Sequence, residues 1–141
     1  MRTKIVYTVV GGEKDIYVPQ TLVAIYSARL FNPDANIMLV VDQDTALVIE
    51  KYLPKIKNYV SNLIVVNVPT EMSKMHRSRF LKTKLREVID GDFLYIDTDT
   101  VISGSLKEID FVEANVAAVL DRHSVVNEHV YLHKIKSDIS T

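Results

Sequence analysis

Short apolar runs recur along this chain, and most are separated by segments with the length and spacing of helices. The runs are Ile5–Val10, Ile37–Val41, Leu63–Val68, Phe93–Ile96 and Val116–Leu120. Repeated strand–helix units need crossover connections, which give a mainly parallel sheet with helices on both faces. The pattern therefore predicts an α/β fold, and the length of 141 residues fits one domain spanning residues 1–141.

Helices are predicted between these strands from their spacing and their caps. Tyr17–Phe31 carries apolar residues at helical spacing. A second helix follows Asp42, which can cap it, and Pro54 is expected to kink or shorten that helix. Ser105 and Glu108 have the capping-box spacing that predicts a further short helix.

Charge is concentrated in one segment of the chain. The net charge is only −1, but residues 71–88 contain six basic and two acidic side chains and so carry +4. This segment is suited to meeting anions, whereas the whole-chain charge gives no support for a nucleic-acid partner. The chain has no cysteine and no apolar run near the roughly 20 residues of a membrane span. We expect a cytoplasmic protein.

Two carboxylates one residue apart, Asp97 and Asp99, follow the fourth apolar run. Ligands of open α/β sheets gather outside the carboxyl ends of the strands. On an extended chain both side chains would face one way, with their α-carbons about 6.6 Å apart. A hard divalent cation, Mn²⁺ or Mg²⁺, would relieve their repulsion. The alternative is a helix cap and a turn acid that bind no metal.

The basic segment is predicted to supply the second half of this site. Arg79, Lys82 and Arg86 stand at i, i+3 and i+7 and share one helix face. Together with a metal, such cations can stabilise a departing diphosphate. A solvated surface stripe is the alternative. Arg77 and Lys84 fall on a separate face, and we expect both to be solvated.

Other residues that follow apolar runs could also contact a ligand. Asp42 and Asp121 each end a predicted strand, so either could hydrogen-bond a ribose or a sugar hydroxyl. A helix cap is the favoured role for Asp42. Gly11-Gly12 would let a ligand approach the backbone, but without the full G-x-G-x-x-G pattern a plain turn is the favoured interpretation.

Three segments, Ser78–Lys84, Asp92–Ile102 and Gly104–Ile109, resemble the donor-site half of nucleotide-sugar glycosyltransferases. The resemblance is strongest to glycosyltransferase family 8, the retaining galactosyl- and glucosyltransferases related to glycogenin. It runs from Lys4 to Asp121 and implies the nucleotide-diphospho-sugar transferase (glycosyltransferase A type) fold.

The resemblance also implies roles for particular residues. Asp97 and Asp99 would hold manganese against the diphosphate of a UDP-sugar. Arg79 matches an arginine that contacts the donor, and Asp121 an acid that touches the donor sugar. The predicted donor-binding set is Thr8, Arg79, Lys82, Thr98 and Asp121.

The chain departs from the family in two respects. The family has polar or acidic residues after its first strand, whereas Val9–Gly12 here leaves Thr8 as the polar contact for the nucleoside. Family members are also longer, and a late histidine supplies a third metal ligand. We therefore predict that this chain is the amino-terminal part of a longer transferase, with a fold incomplete at its carboxyl end.

The leading functional prediction is metal-dependent transfer of a hexose from a UDP-sugar to a hydroxyl of a glycan or lipid-linked saccharide. No nucleophile or general base can be named, and peripheral association with the inner face of a membrane stays open. The segment Ile96–Val101 also fits the first motif of haloacid-dehalogenase-like phosphatases, with Asp97 as the nucleophile. A third possibility is a non-catalytic module that binds a nucleotide sugar without turnover.

Overall fold

A four-stranded parallel sheet forms the centre of the computed structural model, which describes residues 1–119. The strands are β1 (Lys4–Val9), β2 (Ile37–Asp42), β3 (Asn62–Val66) and β4 (Phe93–Tyr95). The helices are α1 (Tyr17–Phe31), α2 (Gln43–Glu50), α3 (Leu53–Ile56) and α4 (Lys74–Val88), with a 3₁₀ turn over Lys107–Phe111. The predicted α/β class is confirmed, and the arrangement is consistent with a Rossmann-like fold.

The strands lie side by side in the order β3-β2-β1-β4, and every pair is parallel. Strand β1 is therefore central, with Thr8 opposite Val40 of β2 and Val6 opposite Tyr95 of β4. The chain builds the sheet outward from β1 to β3 on one side. It then crosses to the other side of β1 for β4.

Helices cover both faces of this sheet because successive strand residues point to opposite faces. One core cluster combines Ile5, Tyr7 and Val9 of β1 with buried residues of α1, α2 and α3. The other combines Val6 with Leu81 and Leu85 of α4. Helices α1, α2 and α3 thus lie on one face and α4 on the opposite face, as the repeating strand–helix pattern predicts.

The helix after β2 confirms two local predictions. Asp42 accepts the backbone N–H of Thr45 at 2.9 Å and is the cap of α2. The helical stretch is interrupted after Glu50, and α3 begins at Leu53 with Pro54 in its first turn. Proline lacks the N–H that a continuous helix needs, so Pro54 shortens the helix and starts a new one.

The basic helix begins three residues later than the basic segment of the sequence. Ser73 caps α4 by accepting the backbone N–H of His76 at 3.3 Å. Leu81 and Leu85 face the sheet, which turns the cationic residues between them toward solvent and toward the sheet edge.

The prediction of a fifth strand over Val116–Leu120 is wrong for residues 116–119, which form no strand. Val116 is 88% exposed and Val119 is 97% exposed. A β-branched run becomes a strand only where a neighbouring strand offers its free edge and a helix covers it. Neither contact is made here by the described residues. Leu120 and Asp121 lie outside the described part of the chain.

After β4 the chain crosses α1 and returns to the start of β1. The Ile102 N–H donates to Ser27 Oγ at 2.9 Å, and the Leu106 N–H donates to Asn32 Oδ1 at 2.7 Å. We call residues 100–111 the return segment. The predicted capping box in it is wrong, because the Ser105 hydroxyl accepts the N–H of Lys107 and the helix is a 3₁₀ turn.

Among residues 1–119, no helix combines the length and apolar character that crossing a bilayer requires.

Candidate functional site

The candidate site lies where β1 and β4 meet, at the carboxyl ends of the strands. The chain leaves β1 toward β2 on one side, and β4 arrives on the other side of β1. Such a reversal of strand order opens a crevice at the sheet edge, the usual ligand position in open α/β sheets. Thr8 of β1, Tyr95 of β4 and Asp97 just beyond it stand at this point.

A lysine and a tyrosine converge on Asp97. Its Oδ1 accepts a hydrogen bond from Lys82 Nζ at 2.7 Å and another from the Tyr95 hydroxyl at 2.6 Å. The Lys82 ammonium also lies 5.1 Å from the centre of the Tyr95 ring, within cation–π range. The side chain of Asp97 is 58% exposed and that of Lys82 is 42% exposed. A solute can therefore reach both charges.

These contacts set the ionisation of the cluster. Partial burial disfavours the Asp97 anion, but the hydrogen bonds from Lys82 and Tyr95 outweigh it and lower the pKa of Asp97. For Lys82, burial is likewise outweighed, and its bond to Asp97 raises its pKa. Burial, and then the bond to Asp97, raise the pKa of Tyr95. At neutral pH the cluster is a carboxylate, an ammonium and a neutral phenol.

The two acids do not stand on an extended chain, so that part of the prediction is wrong. Strand β4 ends at Tyr95, and the backbone bond from Thr100 N–H to Asp97 O, 3.1 Å long, closes a turn over residues 97–100. Aspartate is a favoured first residue of such turns. Thr98 is half-buried within the turn, and Asp99 is exposed on it.

The donor set at this turn suits a hard divalent cation. Both partners of Asp97 contact Oδ1, and no described side chain bonds to its Oδ2. Within residues 1–119, no three metal-ligating side chains come together. The turn thus offers two carboxylates, and an ion held there would complete its shell with water and phosphate oxygens, as Mg²⁺ usually does.

Only one of the three cations predicted to share the site face touches the acid pair. Lys82 contacts Asp97, whereas Arg86 donates to the carbonyl of Gly91 at 2.6 Å and lies against the Phe93 ring. Arg79 is exposed and makes no hydrogen bond or ion pair with the described residues. Of these three cations, Lys82 is engaged with the acid pair, Arg86 is engaged elsewhere, and Arg79 is available to a ligand.

Arg77 is buried, which contradicts the prediction that it is solvated. Its Nη1 lies 2.7 Å from Asp42 Oδ2 and 2.6 Å from Asp44 Oδ2. The sequence did carry a signal, because Arg77 precedes Leu81 and Leu85 at intervals of four and so shares their inward face. Asp42 is fully buried in this pair and in its cap, which removes it from the candidate ligand contacts.

Lys84 agrees with its predicted surface position, where its ammonium contacts Glu87 at 2.8 Å.

The loop after β1 is held against the first turn of α4. Asp15 accepts the Gly12 N–H at 2.7 Å and the Lys74 ammonium at 3.0 Å. A β-carbon at Gly11 would lie 2.9 Å from the Val18 side chain, so close packing onto α1 accounts for that glycine. These hydrogen bonds and this packing hold the loop as an ordered turn beside the crevice.

Sequence reasoning missed Tyr95 and placed Thr8 in direct contact with the nucleoside. Thr8 is only 4% exposed, and its hydroxyl lies 3.3 Å from the Tyr95 hydroxyl. Tyr95 precedes Asp97 by two residues, the spacing that puts two strand side chains on one side. That spacing is the sequence signal that could have identified Tyr95 as a site residue. Thr8 supports Tyr95, which in turn orients Asp97.

Comparison with known proteins does not assign the chain to a family. No protein-family model matches it, and no curated protein matches it.

Proposed function

We propose that this chain binds the diphosphate of a UDP-sugar together with Mn²⁺ or Mg²⁺ and transfers the hexose to a hydroxyl of a glycan or lipid-linked saccharide. One observation carries the proposal. The Lys82–Asp97–Tyr95 cluster stands in the crevice between β1 and β4, at the carboxyl edge of a parallel sheet. In this proposal the fold is the glycosyltransferase A type.

The chemistry of the cluster fits a diphosphate leaving group. Asp97 and Asp99 are the residues that would hold the metal, which when bound neutralises charge on the diphosphate as its bond to the sugar breaks. The Lys82 side chain is 42% exposed, and its ammonium supplies a mobile point charge for a phosphate oxygen. Arg79 lies one turn earlier on the exposed side of α4, where its planar guanidinium can bind a second oxygen.

The remaining residues position these groups. The Tyr95 hydroxyl fixes one rotamer of the Asp97 carboxylate, and the buried Thr8 hydroxyl lies within reach of that phenol. The turn over residues 97–100 holds Asp99 and Thr98 beside Asp97. Contacts within the chain therefore hold the Tyr95 phenol, the Asp97 carboxylate and the turn in fixed positions.

Calorimetry with UDP, with and without Mn²⁺, tests the proposal. Loss of a residue that merely orients a metal ligand costs about 10- to 100-fold in metal affinity, so loss of a ligand costs at least that much. We expect Asp97→Asn to abolish the metal-dependent part of UDP affinity. Asp34→Asn is the matched control, since Asp34 is exposed and precedes β2 at the opposite sheet edge. An Asp97→Asn protein with unchanged UDP affinity would remove the site assignment.

Release of UDP from UDP-hexoses separates a transferase from a binding module. A transferase releases UDP in a metal-dependent manner, and the rate rises when a saccharide acceptor is added. Metal-dependent binding without UDP release would instead support a module that holds the donor.

A further inference from the structure

The cation in contact with Asp97 is a side chain of the chain itself, Lys82. Lys82 Nζ lies 2.7 Å from Asp97 Oδ1, a distance typical of a charge-assisted hydrogen bond. We propose that Lys82 competes with a divalent cation for Asp97, so that the metal binds tightly only when a diphosphate draws Lys82 away. This inference rests on the proposed function and concerns the order in which its ligands bind.

Charge and geometry set Lys82 and a metal ion in competition for Asp97. An ammonium in contact with the carboxylate repels a second cation and occupies one of its two oxygens. Asp97 and Asp99 alone offer two carboxylates, with no third metal-ligating side chain near them among the described residues. Metal binding without diphosphate must therefore either displace Lys82 from Oδ1 or bring a second cation to Oδ2 beside the ammonium, and both leave most of the coordination shell to water.

A diphosphate removes this conflict because it gives Lys82 a second anion. The lysine side chain is 42% exposed and flexible, so its ammonium can leave Asp97 without disturbing the core. An exposed ion pair of this kind is weak, and its competition corresponds to about a two- to fivefold loss of metal affinity. Lys82 would then act on phosphate oxygens while the metal takes its place.

Tyr95 keeps the carboxylate in position during this exchange. Its hydroxyl donates to the same Oδ1 at 2.6 Å and is itself within 3.3 Å of buried Thr8. Departure of Lys82 thus leaves Asp97 with one fixed donor. The exchange changes the cation and leaves the orientation of the acid unchanged.

The Lys82→Met variant tests the competition between Lys82 and Mn²⁺ for Asp97, because methionine keeps the apolar stem of lysine and removes its charge. Electron paramagnetic resonance of free Mn²⁺ gives the affinity for Mn²⁺ in the absence of UDP. Calorimetry gives the affinity for UDP at saturating Mn²⁺. We expect Mn²⁺ alone to bind about two- to fivefold more tightly to Lys82→Met than to the wild type. UDP should bind about tenfold more weakly in the presence of Mn²⁺, because a phosphate contact is lost. Lys82→Arg, which keeps the charge, should retain the weak binding of Mn²⁺ alone.

Lys84→Met is the control, since Lys84 lies on the same helix but contacts Glu87. It should change neither affinity. If Lys82→Met leaves the affinity for Mn²⁺ alone unchanged or weaker while the wild type binds UDP with Mn²⁺, the competition is refuted and the proposed function stands. If Mn²⁺ has no effect on UDP binding to the wild type, the proposed function fails, and the inference fails with it.

Discussion

Tyr7 buries its whole side chain in the core, yet its hydroxyl has no hydrogen-bond partner among the described residues. A buried donor left unpaired costs about 1–3 kcal/mol. We therefore expect Tyr7→Phe to raise the free energy of unfolding by about 1 kcal/mol at pH 7. Urea unfolding measures this change. A loss of stability would show that the hydroxyl is satisfied, for example by a buried water.

The same substitution has a defined pH dependence. Burial raises the pKa of the Tyr7 hydroxyl to about 12, whereas an unfolded tyrosine titrates near 10. Below pH 10 both states keep the proton. Between pH 10 and 12 only the unfolded chain releases it, so the wild type loses about 3 kcal/mol that Tyr7→Phe does not lose. Tyr17→Phe, at an exposed position, should follow the wild type.

Single residues also show which features of the site can be predicted from the sequence. Asp97 and Lys82 were identified because an acid after a buried strand and a cation on the neighbouring helix have distinctive spacing. Arg77 was misplaced because its charge suggested solvent, while its spacing from Leu81 indicated the interior. Its burial depends on two carboxylates at the β2–α2 junction, Asp42 and Asp44. Pairing across elements is a tertiary property, and one stretch of sequence does not contain it.

Among the elements, α4 is joined to the β2–α2 junction by the Arg77 ion pairs. Removing one partner of a buried pair leaves an uncompensated charge, which costs about 3–5 kcal/mol. Asp42 would be that charge, since it is fully buried. We expect Arg77→Met to lower the free energy of unfolding by about 3 kcal/mol in urea titrations.

Arg79 provides the matched control for this prediction, because it is an exposed arginine on the same helix. Arg79→Met should change stability by less than about 0.5 kcal/mol. The double variant Arg77→Met with Asp42→Asn should recover part of the loss. Equal stability of the two single variants would mean that the buried pair does not hold α4 in place.

Element prediction succeeded where local chemistry decides the outcome. Helix α1 spans the predicted residues, Asp42 caps α2 as expected, and Pro54 divides the helical stretch. Prediction failed where contacts with neighbouring elements determine the structure. Residues 116–119 have strand composition but no pairing edge in the described structure, and Asp97–Thr100 forms a turn although the apolar run before it suggests continued extension.

At the scale of the whole molecule, the strand order determines which residues come together at the site. The sequence predicts parallel strands, but the order β3-β2-β1-β4 depends on which free edge of the sheet the last strand joins. Had β4 joined β3, Asp97 would lie far from Thr8 and no crevice would form between them. The chain then secures this order with the return segment, which crosses α1 and ends beside the first residues of β1.

Asp110 fastens the end of that return segment. Its carboxylate accepts the backbone N–H groups of Arg2 and Thr3, each at 2.8 Å, so it joins residues 107 positions apart. The Thr3 and Arg2 amides lower the pKa of Asp110 to about 2. A lowered pKa means that the stabilisation is complete above about pH 4, the pKa of an unfolded aspartate, and is lost as the pH falls toward 2.

We expect Asp110→Asn to have a lower urea midpoint than the wild type from pH 7 to about pH 4, because the two amides use different carboxylate oxygens and asparagine keeps only one, uncharged acceptor. The difference should shrink below pH 4 as Asp110 gains its proton in the unfolded chain and then in the folded one. Glu108→Gln, an exposed substitution on the same 3₁₀ turn, should show no such difference. A constant gap down to pH 2 would mean that the carboxylate charge contributes nothing. No gap at any pH would mean that the return segment is held by its contacts with α1 alone.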